Sequence, residues 1–139
     1  MRHHFLFRLV VATLVFSTLE APILALTVEQ SLWKRAESFL LAQSSAENFL
    51  NRGDSLYEQG RYQEALVYYD RAIQLKPDYA HAWNKRGNTL NELKRYQEAL
   101  ASFDRALQLV PNYFEAWYNR GNALDELKRF QEAIASYDK

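Results

Sequence analysis

Residues 80–113 read AHAWNKRGNTLNELKRYQEALASFDRALQLVPNY, and this stretch decides the fold. Trp83, Gly87, Leu90 and Leu93 recur at three-to-four-residue spacing, which places them on one face of a helix. Lys94 and Arg95 interrupt the pattern. It resumes as Tyr96, Ala99, Leu100, Phe103, Ala106 and Leu107, until Pro111, which has no N–H with which to continue a helix. Two amphipathic helices joined by so short a turn form an antiparallel hairpin. Glycine inside a helix costs about 1 kcal/mol relative to alanine, so Gly87 implies that its lack of bulk is needed. The expectation is that Gly87 and Ala99 sit where the helices cross, with Trp83 and Phe103 filling the wider gap on either side.

The same residue types recur outward at a 34-residue step. Gly53, Gly87 and Gly121 are so related, as are Phe49, Trp83 and Trp117; Ala65, Ala99 and Ala133; and Tyr69, Phe103 and Tyr137. Ala72 pairs with Ala106, and Pro77 with Pro111. Repetition at this period means stacked modules, here 46–79, 80–113 and 114–139, the last stopping short of its alanine and proline. One hairpin leaves apolar surface uncovered, so neighbours must stack, and the fold class expected is all-α. An uncapped C-terminal end is expected to expose apolar side chains, to be covered by further repeats, by a partner or by self-association with a second copy.

Composition excludes several kinds of function. The chain of 139 residues has no cysteine, which removes disulfide scaffolds, thiol catalysis and cysteine-ligated metals. Seventeen basic residues against seventeen acidic ones give zero net charge, with both signs interspersed, so no nucleic-acid partner is expected. A hydrophobic share of 48% argues against disorder. His81 is the only histidine after the first few residues, and no glycine-rich phosphate loop or metal-ligand spacing is present. Asp125 and Glu126 are adjacent and therefore point to different helix faces. No catalytic residue, cofactor site or metal site is assigned, and the chain is read as not an enzyme.

The first residues differ from the rest. Arg2, His3, His4 and Arg8 precede an uncharged run from Leu9 to Leu19, followed by Glu20, Ala21, Pro22 and a small-residue site at Ala25. That order reads as a signal peptide over 1–25, since the run is well short of the roughly 20 residues needed to span a bilayer. Were Glu20 tolerated at the interface, residues 9–28 would instead be an uncleaved anchor. Either way the remainder would be exported, periplasmic or secreted, or membrane-anchored and facing away from the cytoplasm. Residues 26–45 form a separate unit. Val28, Leu32, Trp33, Ala36, Phe39 and Leu40 have helical spacing, and Gln43, Ser44 and Ser45 break the pattern as a linker. This amphipathic helix is expected to cover the front of the repeats, the alternative being an interfacial membrane helix.

The set Trp83, Gly87, Leu90, Ala99, Phe103, Ala106 and Pro111 resembles the tetratricopeptide repeat, and the resemblance covers residues 46–139. It implies a right-handed superhelical solenoid whose first helices line a concave groove that binds peptides. There are departures: Arg52, Arg86 and Arg120 stand where the family often has leucine, and Asp70, Asp104 and Asp138 follow the second-helix aromatic. Each arginine is expected to pair with an aspartate, across its own hairpin or to the adjacent one.

In the family, partner contacts come from the first-helix positions one after the glycine and two or three before it. Carried onto this chain, the resemblance implies Asp54, Asn88 and Asn122; Asn51, Lys85 and Asn119; and Leu50, Asn84 and Tyr118. Tyr57, Asn91 and Asp125 lie deeper in the same helices. Asparagine both donates and accepts, so an array of it can grip a peptide backbone whatever its side chains. Leu50 and Asp54 stand where a clamp for acidic chaperone tails would need a cation and an asparagine, and Glu47, Glu58, Glu92, Glu115 and Glu126 outnumber Lys85. The expected partner is therefore a protein or peptide, neutral to basic, held by a non-catalytic interaction scaffold. The competing reading is a membrane-anchored assembly module, or a fragment of a longer repeat protein.

Overall fold

The computed structural model describes residues 22–139, with side chains from Val28 onward. Most of the leader-like segment lies outside the described residues, as do His3 and His4. Six helices follow: α1 (Pro22–Glu58), α2 (Tyr62–Leu75), α3 (Ala80–Glu92), α4 (Tyr96–Leu109), α5 (Phe114–Glu126) and α6 (Phe130–Tyr137). No strand occurs among the described residues, and none of these helices is long and apolar enough to cross a membrane. The chain divides into two units between Phe39 and Leu40.

In the first unit the described residues are helical, as their spacing requires, and Val28, Leu32, Trp33 and Phe39 are exposed. Gln43, Ser44 and Ser45, the expected linker, are helical instead. The physical reason is local. Ser44 Oγ donates to the Leu41 carbonyl at 3.1 Å, so its hydroxyl is satisfied within the helix rather than competing with it.

The second unit is built from three hairpins: the end of α1 with α2, α3 with α4, and α5 with α6. Each turn between paired helices closes the same way. Gly60, Lys94 and Lys128 take positive φ, and Arg61, Arg95 and Arg129 donate their N–H groups back to Leu56, Leu90 and Leu124. This satisfies carbonyls that the helix end leaves open. Arg61, Arg95 and Arg129 each then hold a glutamate three residues on, Glu64, Glu98 and Glu132. Between hairpins, proline drives the preceding residue out of the helical region: Lys76 and Val110 have φ of −137° and −133°. The indole N–H groups of Trp83 and Trp117 then donate to the carbonyls of Pro77 and Pro111, tying each hairpin to the one before it.

The buried apolar side chains fall into three clusters along the stack, one of which joins all three hairpins. Leu66 of the first hairpin, Leu90, Ala99, Leu100 and Phe103 of the second, and Ala123, Leu124 and Ala133 of the third form one cluster. The recurring glycines lie directly beneath the second-helix aromatics: a Cβ on Gly53 would stand 2.6 Å from the Tyr69 ring, and Gly87 and Gly121 are closer still to Phe103 and Tyr137. Phe103 is thus seated on Gly87 itself, not beside it as the spacing suggested.

The arginine–aspartate expectation resolves in favour of the adjacent hairpin. Arg86 Nε donates to Asp70 at 2.7 Å, and Arg120 Nε to Asp104 at 2.7 Å, while their Nη1 atoms reach Ser102 and Ser136 at 2.6 Å. Both serines are buried and also donate to Glu98 and Glu132 carbonyls. Arg52 has no such pair among the described residues, because the chain before it continues as α1 where the other hairpins are preceded by a second helix, and Tyr68 stands where the serines do.

Candidate functional site

The first helices of the three hairpins, the end of α1, α3 and α5, present their glycine-adjacent positions side by side. Between them opens a concave pocket of about 310 Å³ lined by Tyr57, Asn88, Asn91, Glu92, Tyr96, Asn119, Asn122 and Glu126. Four of the expected asparagines are therefore brought together: Asn88, Asn91, Asn119 and Asn122. All four are half-buried, a state in which an amide is held by its neighbours yet can still be reached.

The positions just after the glycines differ in a way that follows from the second-helix aromatics. Tyr69 donates its hydroxyl to Asp54 at 2.7 Å, and Tyr137 donates to Asn122 at 2.9 Å. In the middle hairpin the corresponding aromatic is Phe103, which has no hydroxyl, and Asn88 makes no side-chain hydrogen bond among the described residues. Burial, and then the adjacent Asp54 carboxylate, pushes the Tyr69 phenol far above its ordinary value.

The other expected contact residues fall elsewhere. Lys85 lies 3.7 Å from Asp54 and so spends its charge inside the wall. Asn51 and Asp125 are exposed and do not line the pocket. Tyr118 is 60% exposed and packs on Tyr137, with ring centroids 5.8 Å apart. It borders a second depression, of about 460 Å³, with Phe114, Trp117 and Tyr137. Phe114, Phe130 and Ile134 are also exposed, giving α5 and α6 an open apolar surface.

Asn84 is a correction. It is fully buried, donating to Glu115 at 3.0 Å and Tyr113 at 3.3 Å and accepting from Asn119 at 3.4 Å. An amide so saturated positions its neighbours and has nothing left for a ligand. His81 joins the same network, its Nδ1 lying 2.8 Å from the Tyr113 hydroxyl. The network spans the junction between the second and third hairpins, where a buried polar cluster fixes register.

Two pocket residues belong to the acids already noted on these helices, Glu92 and Glu126, and one, Tyr96, was legible only as part of the apolar face of the second helix. The Tyr57 hydroxyl donates to Glu92 at 3.4 Å, and burial, followed by the Glu92 charge, pushes that phenol up to about 12. Tyr96 is also raised, by desolvation first and by the Glu126 charge next. Both phenols therefore remain protonated donors beside carboxylates at neutral pH.

Family models described as tetratricopeptide repeat match residues 50–114 and again 114–139. Comparison with curated proteins finds no match. Among solved structures, the chain is similar to the Arabidopsis OM64 TPR domain, at 25% identity and a TM-score of 0.68, covering 68% of this chain and 78% of that one. It is similar to the second TPR of Spaghetti (RPAP3) bound to the HSP90 peptide SRMEEVD, at 25% identity and a TM-score of 0.71, over 73% of this chain and 94% of that one. The TPR2B-domain:pHsp70 complex of yeast Sti1 shares the fold at 23% identity and a TM-score of 0.67, over 68% and 76% of the two chains.

Proposed function

The chain belongs to the tetratricopeptide repeat family, and we propose on that premise that it is a non-catalytic scaffold gripping an extended, neutral-to-basic peptide in the concave groove. The observation that carries this reading is the pocket in which Asn88, Asn91, Asn119 and Asn122 converge half-buried. Asparagine amides can bond both the N–H and the C=O groups of an extended backbone, so such a wall selects for conformation before sequence. The RPAP3 neighbour, bound to an HSP90 peptide, supports a peptide ligand for this shape of molecule.

That neighbour's peptide, SRMEEVD, is acidic, and the same ligand suits this groove poorly. Lys85 is the one cation among the expected contact positions, and Asp54 holds it. Glu92 and Glu126 face the pocket. Like charges brought together at an interface are destabilising, so a neutral or basic segment fits better.

The leader-like order of residues 1–25 extends the proposal: the scaffold works on the far side of a membrane, either released after cleavage or tethered. Intact mass of the protein recovered from its host, with its partition between soluble and membrane fractions, tests that part. Recovery of an unprocessed protein from the cytoplasm would refute it.

The groove itself is tested by selecting a random displayed peptide library on the purified chain and mapping a selected peptide by amide chemical shifts. Binding is expected to move Asn88, Asn119 and Asn122. Changing all three to alanine should lower affinity by roughly tenfold or more, with about 1 kcal/mol for each lost hydrogen bond, while the helical circular-dichroism spectrum is kept. Shifts confined to other faces would remove the reading.

A further inference from the structure

We propose that the pocket between Glu92 and Glu126 is an anchoring site for one cationic side chain of the bound peptide, arginine above lysine. The proposal rests on the groove reading and adds to it the chemical class of the residue that sits deepest. Glu92 and Glu126, one repeat apart, supply two carboxylates, and no lysine or arginine lines the pocket to answer them. The Tyr57 hydroxyl donates to Glu92, which orients that carboxylate without neutralising it. Tyr57 and Tyr96 add aromatic surface against which a planar cation can lie.

A second observation does not depend on the acids. Asn91 Oδ1 is buried without a hydrogen-bond partner, while Asn91 Nδ2 donates to the Asn119 carbonyl at 3.5 Å. That bond sets which way the amide points, because turning it over would bring oxygen against oxygen. The unsatisfied atom is therefore an acceptor, and leaving a buried acceptor unpaired is unfavourable. The carboxylates lining the pocket, and the amide oxygen buried in its wall, all ask for N–H donors. A guanidinium has five donors and no acceptor, an ammonium three, and only the guanidinium can bridge planar carboxylates two bonds at a time. Asn88, which has no partner hydroxyl because its hairpin carries Phe103, is placed to hold the peptide backbone beside the anchored side chain.

The test uses two blocked, fluorescently labelled peptides, Gly-Ser-Ala-Arg-Ala-Ser-Gly and the same sequence with citrulline for arginine. Citrulline keeps shape and most donors but not charge. Each is titrated by anisotropy against the full chain and against Glu92→Gln/Glu126→Gln, a pair of exposed, shape-conserving changes whose fold is checked by circular dichroism. The arginine peptide should bind roughly tenfold more tightly than the citrulline one, and the preference should collapse in the double variant. Equal binding of both peptides to the unaltered chain overturns the cation site and leaves the groove reading standing. If neither peptide binds but selected neutral peptides still shift Asn88 and Asn122, the cation site again fails alone. If nothing shifts those residues, both readings fail together.

Discussion

At the residue scale, the recurring glycines and the aromatics above them decide how close the helices come. An alanine at position 87 would gain helix propensity of about 1 kcal/mol and drive its Cβ into the Phe103 ring. Overpacking of this kind costs about 1–3 kcal/mol, so Gly87→Ala is expected to lower the melting temperature; a rise would mean that the ring has room to move. Tyr69, at the equivalent place in the first hairpin, and Tyr57, on that hairpin's first helix, add a pH dependence. Below pH about 10 the folded and unfolded phenols are both protonated and contribute no slope. Above it the unfolded chain loses protons that Tyr57, raised to about 12, and the buried Tyr69 still keep, so stability falls. Tyr69→Phe, the residue the middle hairpin already carries at this place, should cost about 1 kcal/mol at neutral pH and make the alkaline decline shallower in melts from pH 7 to 12. An unchanged alkaline slope would show that Tyr69 does not carry it. The need for small residues at 53, 87 and 121 was legible from spacing; which atom they make room for was not, because a period says which face a residue is on and not which ring rests upon it.

At the element scale, two features hold hairpins in place. Lys94 and Lys128 adopt the left-handed conformation that the first hairpin gives to Gly60. A side chain there costs about 1–2 kcal/mol, so Lys94→Gly is expected to stabilise the chain by about 1 kcal/mol in chemical denaturation, and a loss would mean that the lysine makes a compensating contact. Between hairpins, Arg86 bridges Asp70 and the buried Ser102. The aspartate is partly exposed, so its pairing is worth little more than a surface salt bridge, about 0.2–1 kcal/mol. Losing the bond to Ser102 adds about 1 kcal/mol. Arg86→Leu should therefore destabilise by about 1–2 kcal/mol and leave peptide affinity unchanged, because Arg86 does not line the pocket; loss of binding in a folded variant would contradict this. The pairing of arginine with aspartate could be read from their recurrence, but the choice of the adjacent hairpin could not, since Asp70 and Asp104 lie 16 and 18 residues from Arg86, too alike to choose between. The serine linker at 43–45 was misread for a related reason. Serine favours turns only when its hydroxyl finds a better partner there than the helix carbonyl that Ser44 uses.

At the scale of the whole molecule, stability in a repeat stack is a sum over hairpins and their interfaces. Helix α3 packs against α2, α4 and α5, whereas among the described residues α6 packs against α5 alone. Amide exchange should therefore be slowest in α3 and fastest in α6; equal protection would indicate that α6 is held by something further, such as a second copy on the exposed surface of Phe114, Tyr118 and Ile134. The sequence alone determined the helical class, the hairpin and the 34-residue repeat, because each is a matter of local period and turn chemistry, while its family resemblance supplied the asparagines. It could not separate Asn84 from Asn88 and Asn119, all polar and all on first helices. Only the tertiary structure decided that Asn84 is consumed by Tyr113, Glu115 and Asn119 while Asn88 stays free opposite a phenylalanine, and that Tyr96 joins two glutamates in one pocket. The reason is physical: burial and hydrogen-bond saturation belong to the space between hairpins, and that space exists only once they have stacked.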